Sequence, residues 1–335
     1  MRLVLVLLAL SISAVTPALH ANDKGKTVSA EKQTICLGRF LVNVPKDAFV
    51  VANSSKYRWD SVSVTRASQE KFAQFISEKE KKLRTIRHER EASLLKHFHR
   101  TSDGTSAVMV FWQTPETAHV YETEAYKWIR GHQFLIKGDA SQDKVATALE
   151  LANRTLSELH FRHNGEIPTG PGFCIDNGYF LGEPASPHLE ETFVHFRFKS
   201  NPDVMVTIST ETNGEQLNDG LLARTENRFI PDAYKELAKG VKTLRRGRHQ
   251  VGNIQGEETL DSVPGGETYA VHMFYWEATG KPRDLYAPSI VINLETGETL
   301  NAEKRRPSLT DQQAIELFDS IVNSIRIRPI ARQSP

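Results

Sequence analysis

The chain has 335 residues, and its 42 lysine and arginine side chains are balanced by 41 aspartate and glutamate side chains. This balance argues against nucleic acid or an anionic membrane surface as the main partner. The length suggests two domains rather than one, and the ordinary composition without low-complexity segments is typical of a globular protein.

The first predicted element is an export signal. Arg2 is followed by an apolar stretch from Leu3 to Leu10, and Pro17 lies close behind it. The apolar run is shorter than the roughly 20 residues that a membrane-spanning helix needs. We therefore predict a cleavable signal peptide over residues 1–21, a periplasmic mature protein and no stable insertion in the membrane. Without its signal peptide the chain keeps 41 basic and 41 acidic side chains.

A first unit is predicted over residues 31–163. Ser68 is a suitable N-cap for a helix whose apolar residues recur at helical spacing from Phe72 to Ile86. A second helix carries an apolar stripe from Val145 to Leu159. Strands are predicted between the two helices, near 94–99, 107–113, 118–129 and 133–137.

A segment rich in turn-forming residues, 164–172, is predicted to link this unit to a second one over residues 173–330. Pro231 suits the first turn of a helix that carries Tyr234, Leu237, Val241 and Leu244. Thr310 begins the last helix with a capping box. Strands are predicted near 193–198, 204–210, 250–255, 268–276 and 287–294.

The two units resemble each other. Ala148–Arg162 aligns without a gap on Ala314–Arg328, and both segments read as a helix that runs into a short strand. Four matches in one order indicate an internal duplication. We predict an α+β fold of two tandem, internally duplicated domains, each an antiparallel sheet with helices packed on one face. The three shorter matches pair 36–42 with 174–181, 83–88 with 244–249 at the ends of helical patterns, and 108–112 with 272–276.

Cys36 and Cys174 are the two cysteines of the chain. In an oxidising compartment a disulfide between them can form and persist. Two buried free thiols in equivalent strands are the alternative, because a free cysteine packs as a small apolar residue. The sequence leaves both possibilities open, since it does not give the distance between the two Cα atoms.

The familiar catalytic motifs are absent from the sequence. It has no Gly-x-Ser-x-Gly, no His-Glu-x-x-His, no phosphate-binding loop and no Gly-x-Gly-x-x-Gly. His97 and His99 could share a metal ion, but no third ligand is evident, so we predict no metal and no cofactor. His88 and His249 take matching places in the repeat, which favours a shared structural role at a helix C-terminus over catalysis. We expect a protein that is not an enzyme, with a periplasmic hydrolase of unrecognised site as the alternative.

Exposed aromatic and basic residues are the candidates for a binding surface. Trp59, Arg283 and Tyr286 stand in predicted loops, and Arg245 and Arg246 belong to a short basic cluster. Tryptophan, tyrosine and arginine contribute most of the binding energy at protein interfaces. We predict these five residues as partner-binding, with a simple helix end as the alternative for the basic cluster.

Six strings of the sequence resemble those of a known family: Cys36–Pro45, Gly172–Ile175, Val204–Ile208, Gly247–Gly252, Phe274–Glu277 and Ala287–Ile292. In these strings the sequence resembles the immunity proteins that protect bacteria against type VI secretion lipase effectors of the fourth class. This resemblance implies a two-domained, crescent-like periplasmic protein that grips a lipase toxin and keeps its lid from opening onto the membrane. It also implies a monomer that binds one effector, and it gives no contact residues. A structural envelope component is a further alternative.

Overall fold

The structure, a computed structural model, describes residues 31–329 apart from 184–187, 218 and 227–234. The predicted signal peptide lies outside the described residues. No helix in the described part of the chain has the length and apolar character needed to cross a membrane. The helices are α1 (Gln69–Thr85), α2 (Val145–Glu158), α3 (Leu221–Glu226), α4 (Lys235–Lys239) and α5 (Asp311–Val322).

Strands outnumber helices in the described chain. The strands of the first half are β1 (Lys32–Leu37), β2 (Phe40–Pro45), β3 (Ala48–Tyr57), β4 (Asp60–Arg66), β5 (Leu95–Arg100), β6 (Ser106–Trp112), β7 (Val120–Ile129), β8 (His132–Ser141) and β9 (Leu159–Phe161). Those of the second half are β10 (Gly172–Ile175), β11 (Gly178–Leu181), β12 (Glu190–Phe198), β13 (Met205–Glu211), β14 (Lys242–Arg248), β15 (Glu257–Pro264), β16 (Ala270–Ala278), β17 (Ser289–Glu295) and β18 (Arg326–Ile327).

One antiparallel sheet of twelve strands runs through both halves, in the order β14-β15-β16-β17-β13-β12-β3-β4-β8-β7-β6-β5. The halves meet where β12 pairs with β3. Reading outward from that pair, the first half has the order β3-β4-β8-β7-β6-β5, and the second has β12-β13-β17-β16-β15-β14. Each half therefore supplies two inner strands, a helical segment and four further strands in the same sequence.

The hairpin that begins each half is exchanged. β1 and β2 form a small sheet with β18, at the end of the second half, whereas β10 and β11 form one with β9, at the end of the first. Phe40 and Val42 are accordingly buried in the core of the second half. Phe173 and Phe180 are buried in the core of the first. Each core is thus completed by a hairpin from the other half.

A disulfide joins the exchanged hairpins. The sulfur atoms of Cys36 and Cys174 are bonded, and their Cα atoms lie 5.9 Å apart. Beside the bond, the N–H of Cys174 donates to the carbonyl of Gly38 at 2.8 Å, and the N–H of Gly38 donates back at 3.1 Å. Gly38 has φ 55°, and a Cβ there would lie 2.9 Å from the ring of Phe173. Only glycine fits this crossing without strain.

Two buried arginines fix the segment predicted as the linker, 164–172. Arg162 donates to two backbone carbonyls of this segment, those of Asn164 and Glu166, at 2.9–3.0 Å. Arg328 donates to three more at 2.6–2.9 Å. These arginines end the two copies of the longest repeat match. Arg162 also donates to the carbonyls of His163, Ile175 and Gly178. The three carbonyls that Arg328 binds are those of Pro168, Gly170 and Gly172.

Helices cover both faces of the first half of the sheet. Phe72 of α1 packs in one cluster with Met109, whereas Ala152 of α2 packs in another with Val108. Neighbouring residues of a strand point to opposite faces, so α1 and α2 lie on opposite faces. The expectation of helices on one face therefore does not hold for this half. Strand β6 explains the difference, because it is buried along its whole length and needs cover on both sides.

The prediction that a helix continues through Val241 and Leu244 was wrong. The described helix α4 ends at Lys239, and Lys242–Arg248 forms the edge strand β14. Gly240 favours the end of the helix, and pairing with β15 then satisfies the backbone of the charged residues that follow. Pro231 and Tyr234 lie outside the described residues.

Two of the repeat matches join elements that are not equivalent. The 83–88 match with 244–249 joins the end of α1 to β14, and the 108–112 match with 272–276 joins β6 to β16. The other two matches fall on elements that hold the same place in each half. They are the opening hairpins, and α2 with β9 against α5 with β18.

Two of the three predicted helix starts, at Ser68 and Thr310, are confirmed. The hydroxyl of Ser68 accepts from the N–H of Lys71 at 3.3 Å. Thr310 accepts from the N–H of Gln313, whose side chain accepts in return from the N–H of Thr310. Satisfying the free N–H groups of a first turn stabilises a helix by about 1 kcal/mol.

Candidate partner-binding site

Three of the five candidate residues lie at one end of the large sheet. Trp59 is in the turn between β3 and β4, while Arg283 and Tyr286 are in the loop between β16 and β17. Strand register places these connections at the same end, because Tyr57 lies opposite Glu190 in β12, and Glu211 lies opposite Ser289 in β17. We call Trp59, Arg283 and Tyr286 the sheet-end surface.

The turn that presents Trp59 has a strained backbone. Arg58 and Trp59 form a two-residue connection between the paired residues Tyr57 and Asp60, with φ of 56° and 75°. Turns of this type favour Asn-Gly, because both central residues need positive φ. Each non-glycine residue held in this region costs on the order of 1–3 kcal/mol and is maintained only by its surroundings. The indole of Trp59 is nevertheless 68% exposed.

The side chain of Arg58 holds this turn in place. It is 8% exposed and donates to the hydroxyl of Thr155 at 3.1 Å and to the carboxylate of Glu158 at 2.9 Å. The N–H of Trp59 also donates to the carbonyl of Leu189 at 3.3 Å. The turn is therefore tied both to the end of α2 and to the start of β12. An exposed aromatic side chain on a fixed, strained turn is suited to binding a partner.

The loop with Arg283 and Tyr286 is also fixed. Arg283 has φ 54°, and its N–H donates to the carbonyl of Asn213 at 2.8 Å. The hydroxyl of Tyr286 donates to Glu183 at 2.5 Å and accepts from Arg39 at 3.3 Å. Burial, followed by the bond to Glu183, raises the pKa of Tyr286 to about 12. Tyr286 thus serves partly as an internal support, whereas the side chain of Arg283 is exposed.

A buried ion pair lies behind this loop. The guanidinium of Arg39 donates twice to the carboxylate of Glu190, each bond being 2.7 Å long. It also lies 5.2 Å from the centre of the Tyr286 ring. Sequence reasoning missed Arg39, Glu190 and Arg58. The one signal was that Gly38-Arg39-Phe40 belongs to a string that carries the family resemblance.

Asp60 lies beneath the Trp59 turn. A Cβ added to Gly138 would lie 2.0 Å from its carboxylate oxygen, so the carboxyl group packs directly on that glycine. Burial, and then the charge of Asp139, raise the pKa of Asp60 to about 6, while Arg58 opposes the rise. The pKa of this side chain is therefore well above that of an ordinary aspartate.

Arg245 and Arg246 lie far from the Trp59 turn of the sheet-end surface. Both are on the edge strand β14, six places from β3 in the sheet, or about 29 Å at the usual strand spacing. Arg245 pairs with Glu258 at 2.6 Å and with Asp319, and these bonds raise its pKa. Arg246 donates to the carbonyl of Leu222 at 2.9 Å but is exposed. Arg245 therefore joins β14 to β15 and α5.

Glu258 and Asp319, together with His249, form the one group among the described residues with metal-binding geometry. Ligand atoms of His249, Glu258 and Asp319 lie within 4.8 Å of one another. The guanidinium of Arg245 already bonds to both carboxylates, and His249 bonds to Glu258 at 2.6 Å. The arginine thus supplies the positive charge that these carboxylates need.

The remaining histidine candidates have separate surroundings. His97 and His99 lie two apart on the edge strand β5. His88 is 1% exposed, stacks on Trp112 with ring centres 4.6 Å apart, and makes a 2.8 Å hydrogen bond with the carbonyl of Thr117. The expected shared role of His88 and His249 at a helix C-terminus is wrong. One packs in a core beyond the end of α1, and the other follows a strand.

Comparisons with known families cover most of the chain. The model of the Tle cognate immunity protein 4 N-terminal domain matches residues 33–157. The model of the C-terminal domain of the same family matches residues 166–330. No curated protein matches the sequence significantly.

Solved immunity proteins have the same fold. The apo structure of TplEi, an immunity protein of the type VI secretion system of Pseudomonas aeruginosa, has a TM-score of 0.78 and 27% identity, covering 90% of this chain and 98% of that one. A chain of the Tle4–Tli4 complex has a TM-score of 0.78 and 28% identity, with the same coverage. TplEi complexed with the "L" peptide has a TM-score of 0.73 and 28% identity, covering 90% of this chain and 99% of that one.

Proposed function

We propose a function from one premise: this chain belongs to the family of Tle cognate immunity proteins 4, because the models of both family domains match it. The protein binds a type VI secretion lipase effector and neutralises it, as a binding inhibitor and not as an enzyme. The observation that carries this proposal is the likeness to the immunity protein of the Tle4–Tli4 complex, which extends over 98% of that chain.

We further propose that the protein acts in the periplasm, after removal of residues 1–21, and that one monomer binds one effector. The apolar N-terminal stretch behind Arg2 supports export. Binding blocks the lid of the lipase or the access of its lipid substrate. Complete protection at low toxin concentration requires a tight complex, which commonly buries about 1,600 Å² of surface or more.

The two halves, 31–163 and 173–330, are in our proposal tandem copies of one α+β unit joined by 164–172. The common strand order outward from the β3–β12 pair supports this. So does the gapless alignment of 148–162 with 314–328, which falls on equivalent elements. A chance likeness would not explain both the order of six strands and the position of this alignment.

The direct test of the function is protection of a cell that produces the toxin. A lipase encoded beside this gene is directed to the periplasm of a test strain, and the full-length protein is produced with it. We expect growth and membrane integrity to be restored, and the purified partners to form a complex of one to one.

A version without residues 1–21 separates binding from location. It should bind the purified lipase in vitro but fail to protect the cell, because toxin and inhibitor are then in different compartments. If it protects as well as the exported protein, the periplasmic part of the proposal is wrong. If the full-length protein neither binds nor protects, the proposed function itself fails.

We propose the sheet-end surface as part of the interface, with Trp59 as its main contact. Arg283 and Tyr286 border it, and Arg246 remains a candidate at the far edge of the sheet. Arg245 has most of its bonding capacity used within the chain. A largely exposed indole that becomes buried on binding would contribute a large part of the affinity.

A glycine substitution tests Trp59. Glycine adopts φ 75° without strain, so Trp59→Gly should raise the melting temperature or leave it unchanged. The same change should weaken effector binding by about 30-fold, or about 2 kcal/mol, because an anchor is lost. Calorimetry of binding and thermal unfolding measure the two effects separately.

Leu300→Gly is the matched control, since Leu300 is also an exposed apolar residue, 62% accessible, and lies in the segment after β17. It should leave the affinity unchanged. Equal affinity of Trp59→Gly and the wild type would remove Trp59 from the interface without affecting the family assignment.

A further inference from the structure

The middle of the large sheet has one face that no described helix covers. Buried and half-buried residues alternate along the whole of β17 and along β12 as far as Phe196. The buried residues pack with α5 in the core of the second half, as Val194 and Ile292 do. The half-buried residues between them therefore face the opposite side.

Contacts between neighbouring strands identify this face. Lys56 of β3 bonds to Glu191 of β12 at 2.6 Å, and His195 bonds to Thr207 of β13 at 2.7 Å. Register places Ala52 opposite His195. Directly paired residues of antiparallel strands share a face. We call this surface the open face, and its central residues are Ala52, Ser54, Phe193, His195, Ser209 and Val291.

Helices border the open face on two sides. On one side the register runs from Ser61 through Lys137 and Glu124 to Met109, which packs with α1. On the other side it runs from Val291 to Glu277, which Arg224 of α3 binds at 2.5 Å. The open face is thus the floor of a saddle between α1 and α3, formed by strands β4, β3, β12, β13 and β17.

The floor is neither strongly charged nor strongly apolar. Phe193 and Val291 flank Ser209 in one row across the sheet, and the ring of Phe193 lies 4.4 Å from that of His195. On the side of the first half, the side chains of the open face are small, as at Ala52 and Ser54. A mixed apolar and hydroxyl surface of this kind is typical of protein interfaces.

One end of the open face has excess negative charge. Glu191 and Glu211 are directly paired across strands, an arrangement of like charges that weakens a sheet. Lys56 pairs with Glu191 at 2.6 Å and interacts more weakly with Glu211, so the two carboxylates share one positive charge. The side chain of Glu211 is exposed. A partner with a basic side chain at this position would relieve the repulsion.

We propose that the open face is the floor of the effector-binding site, an inference that rests on the proposed function. Its occupant is a folded segment of the lipase effector with a small apolar centre against Phe193 and Val291. A lysine or arginine of the effector lies against Glu211. The charge pattern selects this occupant over an anionic membrane, which the carboxylates Glu191 and Glu211 would repel.

The size of the open face connects it with the sheet-end surface. Five strands about 4.8 Å apart and about six residues long cover roughly 24 by 20 Å, or about 500 Å². A standard interface takes about 800 Å² from each partner. The Trp59 turn is continuous with the open face, because Lys56 and Ser61 pair directly below it. The sheet-end surface therefore extends the open face toward the size of a standard interface.

The proposal is tested by placing a large side chain on the open face, at a position outside the core. Ala52→Trp adds a large side chain to the open face at an exposed position, and Ala92→Trp adds the same side chain before the edge strand β5. We expect the first variant to weaken binding of the purified effector by at least 30-fold and the second to change it less than threefold. Thermal unfolding and circular dichroism of both variants check that the fold is kept.

Charge is tested in a second arm. Glu211→Lys should weaken binding at least tenfold, whereas Glu116→Lys, in the exposed loop after β6, should have little effect. Folded Ala52→Trp that binds as tightly as the wild type would overturn the proposal, even if the wild type protects cells. If the wild-type protein does not bind the effector at all, the proposed function itself is wrong. Equal sensitivity to Glu211→Lys and Glu116→Lys would remove the assigned basic contact.

Discussion

The carboxyl group of Asp60 connects the ionisation of one residue with the conformation of the Trp59 turn. The group is held against Gly138, and burial together with Asp139 raises its pKa to about 6. The folded state therefore retains a proton between pH 4 and 6 that the unfolded chain, with its ordinary pKa of 3.8, releases. The free energy of unfolding contributed by Asp60 thus falls as the pH rises through this window.

Asp60→Asn should remove this penalty. At pH 7.5, where Asp60 is charged in the wild type, we expect the variant to be more stable by about 1–2 kcal/mol, a value reduced for partial exposure. At pH 4.5 both side chains are neutral in the folded state and the difference should be small. Urea unfolding at the two pH values measures it. The same difference at both pH values would show that packing, and not ionisation, is the cause.

At the scale of elements, local signals predicted structure well and pairing partners poorly. The start of α5 was predictable because Thr310 and Gln313 satisfy each other within one turn. The edge strand β14 was not, because its residues carry charges whose partners, Glu258 and Asp319, are distant in sequence. The pairing of β1 and β2 with β18 was equally hidden, since the same hairpin sequence would suit either core.

The candidate site shows the same limit. The sequence identified Trp59 as a surface aromatic residue, but the Arg-Trp turn lacks the glycine or asparagine that signals positive φ. Its conformation depends on Arg58 reaching Thr155 and Glu158, about one hundred residues away. The open face was also inaccessible to sequence reasoning, because the alternation in β12 does not reveal which side a helix covers.

In the whole molecule, the cores do not coincide with the two proposed repeats. The core of the first half contains Phe173, Ile175 and Phe180, which belong to the opening hairpin of the second repeat. Burying three such side chains is worth about 6 kcal/mol, comparable to the net stability of a domain. The N-terminal family match, 33–157, ends before this hairpin. A complete core therefore spans the boundary between the family domains.

Two fragments of similar length distinguish a folding unit from a repeat. Residues 46–182 with Cys174→Ser contain β3 to β11 and every buried side chain of the two first-half clusters. Residues 31–163 contain the repeat but lack Phe173, Ile175 and Phe180. We expect cooperative urea unfolding for the first fragment, and aggregation or non-cooperative unfolding for the second.

The exchange of hairpins makes this outcome depend on the core and not on chain length. In fragment 31–163 the hairpin β1–β2 has lost β18 and α5, its partners in the second half, so its apolar side chains Phe40 and Val42 would be exposed to solvent. Adding residues 164–182 to that fragment should therefore restore cooperative unfolding, because these residues complete the core. Cooperative folding of 31–163 without them would mean that the hairpin can return to its own half, and that the exchange is not required for folding.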